Sequence, residues 1–314
     1  MKPRCIQLWT HLLVLATVLS IAVSCSPRKV MIKEFVGVLE DGLPAMEQED
    51  DLNLLARALP AHIKLLETML ASDPRNERLL NLLARIYGGY AFALLESEWE
   101  ARSLGAPSVV DTGYAENQLA DAVARYYQTG ADYALRSLAV RHPQARAQLS
   151  QLSRSADFIR SLDRRDVPAL FWYGFNLGGA IRHQLDSVAA MAKAHLVEKA
   201  MARVVEIDPG YDNGNAYLVL MVYHASRPRM MGGNPDKARY DLRQYRKTPG
   251  AATSLGDVFL ARYLLVEQQE KAAFTKMLAA VPQASDGRRP FTLTDRVAAV
   301  RAKTYLAAAD RFFE

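Results

Sequence analysis

The sequence predicts an all-α protein made of helical hairpins with short connections, because three features of its 314 residues agree. Apolar residues recur at steps of three and four along most of the chain, the spacing that places side chains on one face of a helix. Segments with the two-residue alternation of a strand are short. Glycine and proline fall between the apolar runs, where they interrupt helices.

The first 24 residues have the layout of a secretory signal peptide. Two cations precede an apolar run over 12–23, which is shorter than the roughly 20 residues of a membrane span. Residues 22–25, Ala-Val-Ser-Cys, resemble the lipobox of bacterial lipoproteins, in which the cysteine receives a lipid and becomes the new N-terminus. Ala22 stands where Leu is usual, so ordinary cleavage and an uncleaved anchor stay open. We expect export, with Cys25 as the lipidation site in the periplasm.

The composition of the mature protein limits its domain organisation, its cross-links and its partners. Residues 25–50 carry glycines, a proline and an acidic cluster, which predicts a lipid-anchored tether with a short helix, and residues 51–314 form one helical domain. The only cysteines are Cys5 and Cys25, so this domain has no disulfide and no thiolate metal site. The net charge of +5 falls to 5 − 2 = +3 without the signal peptide, with both signs interspersed, which excludes a nucleic-acid binder.

The helical domain opens with a predicted hairpin. Leu and Ile recur from Leu52 to Leu70, and Asp73-Pro74 ends the first helix because the residue before a proline disfavours helical geometry. A second apolar stripe runs from Leu79 to Leu95. Asn234 before a proline predicts another helix start. Similar apolar runs cover residues 115–140, 168–185, 188–207, 214–226, 235–246, 255–266, 271–281 and 293–313.

A degenerate tetratricopeptide-like unit recurs within these hairpins. Leu83, Ala84 and Tyr87 have the large, small and aromatic spacing of the first helix of such a unit. Segments 62–74 and 197–209 both close on Asp-Pro, where a proline ends the repeat. Because the spacing between copies varies, we predict that the hairpins stack into a compact solenoid and not into a regular array.

Three stretches carry a resemblance to a known family. They are Tyr-Gly-Gly-Tyr-Ala-Phe at 87–92, Leu-Phe-Trp-Tyr-Gly at 170–174, and 226–239, where a loop interrupts the hairpin before Asn-Pro-Asp-Lys-Ala-Arg. On these residues the chain resembles the TatT family, the T component associated with TRAP transporters. The resemblance implies a periplasmic lipoprotein, a homo-oligomer such as a trimer, an apolar channel or pocket in each protomer, and docking of the solute-binding protein of a TRAP system.

The densest aromatic cluster of the sequence lies at residues 171–176. A helix turns by about 100° per residue, so these side chains cannot all face one core. We therefore predict that some of them line a ligand cavity, with an asparagine as the polar group that orients the ligand. The alternative for each ring is ordinary packing of a central helix. The candidates for the cavity are Phe171, Trp172, Phe175, Asn176 and Tyr217.

The loop after the run at 214–226 is a candidate partner contact. It combines two cations with two adjacent methionines, whose flexible thioethers adapt to a partner or an acyl chain. Its candidate residues are Arg227, Arg229, Met230 and Met231. The alternative is a solvated connection between two helices.

Enzyme signatures are missing from the sequence. It contains no zinc His-Glu-x-x-His, no nucleophile elbow and no phosphate loop, and carboxylate pairs such as Glu96 with Glu98 are expected on solvated faces. We assign no catalytic residue, metal ligand or cofactor. The predicted function is a transporter-associated lipoprotein that docks the solute-binding protein and holds a hydrophobic solute. A structural scaffold of the envelope without a small ligand is the main alternative, and a cell-wall lytic enzyme is the other.

Overall fold

The computed structural model describes residues 27–227, 229–283 and 291–313, and every regular element in these ranges is a helix. The predicted all-α class is therefore confirmed for this part of the chain. The predicted signal peptide and Cys25 lie outside the described residues. None of the helices described here is long and apolar enough to cross a membrane.

The first three helices pack together by their apolar stripes. Helix α1 (Pro27–Met46) contacts α2 (Leu52–Ser72) and α3 (Glu77–Tyr90). Asp51 caps α2 by accepting hydrogen bonds from two backbone amides of its first turn, and Asn76 caps α3 in the same way with one. The buried face of α2 consists of the predicted stripe together with one alanine: Leu52, Leu55, Ala56, Leu59, Ile63, Leu66 and Leu70.

Two helices continue through π-helical turns. Helix α3 leads through a π-turn at Ala91–Leu95 into α4 (Glu96–Ser103), and α13 (Leu255–Phe259) leads into a second π-turn at Leu260–Leu265. Such turns are rare and are often found at functional sites, because the extra residue redirects the side chains that follow.

Helix α8 (Val167–Arg182) is the centre of the fold. It packs against α3, α5 (Glu116–Arg141) and α10 (Ala194–Ile207). Glycine permits this close approach, since a Cβ on Gly174 would lie 2.8 Å from a methionine carbon of α10.

The C-terminal helices pack on one another and on α4. The final helix packs against α4, α13 and α14, which brings the C-terminal part of the chain against residues 96–103. Stacking of the hairpins into a solenoid stays a prediction. The other helices are α6 (Ala145–Ser150), α7 (Leu152–Ser161), α9 (Val188–Met191), α11 (Asn215–Ala225), α12 (Pro235–Tyr245), α14 (Lys271–Ala279) and α15 (Leu293–Ala307).

Candidate functional site

Two adjoining cavities, each partly open to solvent, lie in the described part of the protein. The first, which we call the Trp99 chamber, has a volume of about 560 Å³. The second, the Trp172 chamber, has a volume of about 550 Å³. Both walls contain the same four side chains, which we call the septum: Phe92, Phe175, Val219 and Phe259. The two chambers therefore meet at the septum.

The walls of both chambers are mainly apolar. The Trp99 chamber is further lined by Ile181, Met191, Val197, Val222 and Val266. The Trp172 chamber is further lined by Leu43, Leu55, Leu59, Leu218, Leu255 and Val297. Cavities of this size and character are typical of sites for small apolar molecules.

The two π-turns place the aromatic part of the septum. Phe92 lies in the first π-turn, and Phe259 directly precedes the second. The ring of Phe92 meets those of Phe175 and Phe259 edge to face, with centroid separations of 5.9 Å and 6.0 Å. This geometry is favourable for aromatic pairs, so the three rings form a connected wall.

A buried cluster of ionised side chains packs against Phe92 of the septum. The guanidinium of Arg301 lies 4.4 Å from the ring of Phe92 and donates a hydrogen bond of 2.7 Å to its carbonyl oxygen. The same guanidinium lies 3.4 Å from carboxylate oxygens of both Glu96 and Glu100. Burial lowers the pKa of Arg301, but Glu100 and nearby tyrosines outweigh it, so the pKa is raised and the side chain stays charged.

Hydrogen bonds satisfy much of the rest of this cluster. The hydroxyl of Tyr127 donates to Glu96 at 2.6 Å, and that of Tyr305 donates to Glu100 at 2.7 Å. Glu96 also pairs with Arg182. His183 lies beside them, and burial together with the neighbouring guanidinium lowers its pKa to about 3. His183 is therefore neutral near pH 7, and its contact with Glu96 is not an ion pair.

The expectation that Glu96 and Glu98 lie on a solvated face is wrong. Both side chains are buried. Glu98 pairs with Arg102 and accepts a hydrogen bond of 2.9 Å from the backbone of Thr112. The cations that pair with Glu96 are Arg182 and Arg301, which lie far from it in the sequence. The local pattern around Glu96 therefore does not indicate that its side chain is buried.

The Trp99 chamber also carries arginines that have no carboxylate partner among the described residues. Arg262 lies over the ring of Phe312 at 4.6 Å, and Arg227 lies over the ring of Tyr223 at 3.7 Å. Burial lowers the pKa of Arg227, and one of its terminal nitrogens is buried with no hydrogen-bond acceptor in the described ranges. Aromatic rings thus hold both cations at the chamber wall.

The structure separates the five predicted cavity residues. Trp172 and Phe175 line the Trp172 chamber, and Phe175 also reaches the Trp99 chamber. Phe171 is fully buried against neighbouring rings. Asn176 is buried and donates hydrogen bonds to the carbonyl oxygens of residues 84 and 172, and Tyr217 packs on the C-terminal core. The last three are therefore not among the residues that line either chamber.

The predicted partner loop begins at the Trp99 chamber and leads to the surface. Arg227 lines the chamber, whereas Arg229 and Met230 are exposed in a short 3-10 turn at Arg229–Met231. The side chain of Met231 lies outside the described residues. Asn234 ends the loop and caps α12 as predicted, accepting from the amides of residues 236 and 237.

A buried histidine ties this loop to the helices beneath it. The carbonyl oxygen of His224 accepts a 2.8 Å hydrogen bond from the amide of Asn234. Its ring nitrogens lie 2.8 Å from Asp241 and 3.3 Å from Glu198. Burial lowers the pKa of His224, but the two carboxylates outweigh burial and raise it above the usual 6.5.

We expect the His224→Gln substitution to remove a pH-dependent part of the stability. Because the folded-state pKa is raised, protonated His224 stabilises the fold fully below about pH 6.5, and this stabilisation is lost as the pH rises through the folded pKa. The difference in unfolding free energy between the native chain and the variant should thus shrink with rising pH in urea titrations. The matched control is His62→Gln on an exposed position, and an equal pH trend there contradicts the assignment.

Sequence reasoning predicted Phe175 of the septum but missed its other three residues, Phe92, Val219 and Phe259, and the supporting Arg301. Phe92 belongs to the 87–92 stretch that carried the family resemblance, so that motif was its only signal. Phe259 and Arg301 lie in segments whose apolar periodicity predicts ordinary amphipathic helices and no site residue. Their roles depend on contacts with residues far away in the chain.

Fold and site together define the class: an all-helical protein with two apolar interior chambers. Its described residues contain no group of three or more side chains arranged to hold a metal.

The family model of the TRAP transporter T component matches residues 48–313, and the chain belongs to this TatT family. A protein of Treponema pallidum (strain Nichols), described only as uncharacterized, is 25% identical over 233 residues, covering 74% of this chain and 70% of the relative.

Proposed function

We propose that the protein is a periplasmic, lipid-anchored subunit of a TRAP transporter that docks the solute-binding protein and holds a hydrophobic solute in its chambers. Membership of the T-component family supports the transporter role. The observation that carries the solute-holding role is the pair of apolar chambers that meet at one septum. An interior with this much open space favours a ligand-holding subunit over a purely structural scaffold.

The septum suggests how a solute occupies the interior. Each chamber alone is large enough for a small apolar molecule. Phe175 and Val219 are only partly buried, and both contribute to both chambers. Displacement of these side chains joins the chambers into one continuous apolar passage, so a long apolar solute spans both. We further propose that the hairpins form a solenoid and that the protein works as a homo-oligomer.

The docking role is assigned to the loop between α11 and α12. Met230 is 93% exposed, so it is free to contact a partner, and Arg229 beside it is exposed as well. Methionine adapts its shape to an apolar surface, and arginine is favoured at protein interfaces. The loop also leads directly to Arg227 in the chamber wall, which supports the proposal that the solute-binding protein docks next to the Trp99 chamber.

Charge reversal in this loop tests the docking proposal. We expect Arg229→Glu combined with Met230→Asp to weaken binding of the solute-binding protein by roughly thirtyfold, the loss typical of an interface anchor of about 2 kcal/mol. Isothermal titration calorimetry with the binding protein encoded beside the transporter genes measures it. The matched control, Leu152→Asp, changes an exposed apolar residue on α7 and should leave the affinity unchanged. Equal affinities for all three proteins contradict the proposed docking loop.

A further inference from the structure

Helix α1 carries two apolar stripes, of which one packs against the neighbouring helices and the other is exposed. Ile32 and Val36 are buried against the neighbouring helices. A second stripe consists of Met31, Phe35 and Val38, which are 72%, 41% and 67% exposed. Their spacing of four and three residues places these three side chains on one face of the helix. Within the described residues, this face has no partner that buries it.

The charge of α1 changes sign along its length. The cations Arg28, Lys29 and Lys33 lie in its first two turns. Acidic residues begin only at Glu34 and continue with Glu40 and Asp41. Lys29 approaches Asp73 at 3.7 Å, whereas Arg28 and Lys33 are exposed without an ion-pair partner in the described ranges.

We infer that the first three turns of α1 lie on the surface of an anionic lipid bilayer. Met31, Phe35 and Val38 enter the interfacial layer, and Arg28, which lies three and seven residues before Met31 and Phe35 and so flanks the same face, contacts phosphate headgroups. A helix with an apolar face and adjacent cations binds such interfaces, because burial of carbon and attraction to anionic lipid act together.

The position of α1 in the chain supports a bilayer over any other occupant. This inference rests on the anchoring in the proposed function, since Cys25 precedes Pro27 by only two residues, at most about 7 Å of extended chain. The apolar run at 12–23 ends only four residues before Pro27 if it is retained as an anchor. In both cases the cationic, apolar end of α1 is delivered to the membrane surface. Docking of a partner protein or of a second copy of this chain does not account for the cations at this end of α1.

Depth-dependent quenching of a fluorophore tests the inference on the full chain. A nitrobenzoxadiazole label is attached to Met31→Cys, and the protein is reconstituted into phosphatidylcholine vesicles with or without phosphatidylglycerol and with a trace of nitroxide-labelled lipid. The matched control is Leu65→Cys, an exposed apolar position on α2. The unsubstituted chain gives the background from Cys5 and Cys25. Both substituted positions are exposed, so the fold is expected to tolerate them.

We expect strong quenching at position 31, little at position 65, and a clear increase at position 31 with phosphatidylglycerol. Removal of the contacting cation by Arg28→Gln should lower the membrane-bound fraction of the helix about fivefold at low salt. A chain that sediments with vesicles while position 31 stays unquenched overturns the inference but leaves the anchor of the proposed function intact. Failure to sediment overturns both. Shielding of position 31 that depends on protein concentration without vesicles assigns the face to a second copy and also overturns it.

Discussion

The Val219→Trp substitution is expected to abolish binding of an apolar probe while the fold persists. Val219 is a septum residue that contributes to the walls of both chambers, so an indole at this position occupies the space that a ligand needs. Loss of a well-packed apolar contact corresponds to about 2 kcal/mol or more, which lowers affinity at least roughly thirtyfold. Fluorescence titration with diphenylhexatriene, a rod-shaped apolar molecule, measures the change.

Two controls separate loss of the cavity from loss of the fold. Val188→Trp places the same side chain at a position that is 84% exposed and should leave probe affinity unchanged. The unfolding free energy of Val219→Trp should fall by no more than the roughly 1–3 kcal/mol that a bulky substitution costs in a packed interior. Undiminished probe binding by Val219→Trp contradicts the assignment of the chambers as the ligand site.

The Arg301→Met substitution is expected to lower the unfolding free energy by about 3–5 kcal/mol. Arg301 is 1% exposed and compensates the buried carboxylates of Glu96 and Glu100. Methionine retains much of the side-chain volume but leaves Glu100 without a cationic partner, and an uncompensated buried charge is costly. Urea unfolding followed by circular dichroism measures the loss.

The unpaired carboxylate that Arg301→Met leaves behind can itself be removed by a second substitution. When Glu100→Gln is added to Arg301→Met, part of the lost stability should return, because the unpaired carboxylate is removed. Lys303→Met on the exposed side of the same helix should change the unfolding free energy by no more than about 0.5 kcal/mol. A loss below about 1 kcal/mol for Arg301→Met would show that the buried pairs do not need the guanidinium.

The elements that local patterns encode were predictable from the sequence. The stripe from Leu52 to Leu70 is the buried face of α2, and the helix ends before Asp73 as the following proline requires. Asn234 caps α12 as its position before a proline indicates. Each of these features depends on residues within a few positions of one another, which is why periodicity and capping rules apply to them.

The candidate site was only partly predictable. Periodicity indicated that the side chains at 171–176 point in different directions, and it cannot say which of them reach a cavity. Trp172 and Phe175 line a chamber, whereas Asn176 fits between glycines of two other helices: a Cβ on Gly88 or Gly130 would lie 2.5 Å from its side-chain oxygen. Such close approaches are tertiary contacts between distant segments and leave no mark in the local pattern.

The septum and its support were hidden for the same reason. The π-turn around Phe92 and the one after Phe259 have no distinct sequence signature. Arg301 meets Glu96 across 205 positions of the chain, and only the folded structure pairs them. Sequence reasoning therefore found the helices, the family and Phe175, but not the other residues of the wall at which the two chambers meet.

The most direct test of the account is to ask whether the protein carries an apolar molecule from its own cell envelope. The chain and its Val219→Trp variant are purified from that envelope, and each is analysed by native mass spectrometry followed by solvent extraction. We expect a bound apolar molecule with the native chain and its loss from the variant. A native chain that carries no such molecule, and that also fails to bind diphenylhexatriene, would contradict the proposal that the chambers hold an apolar solute.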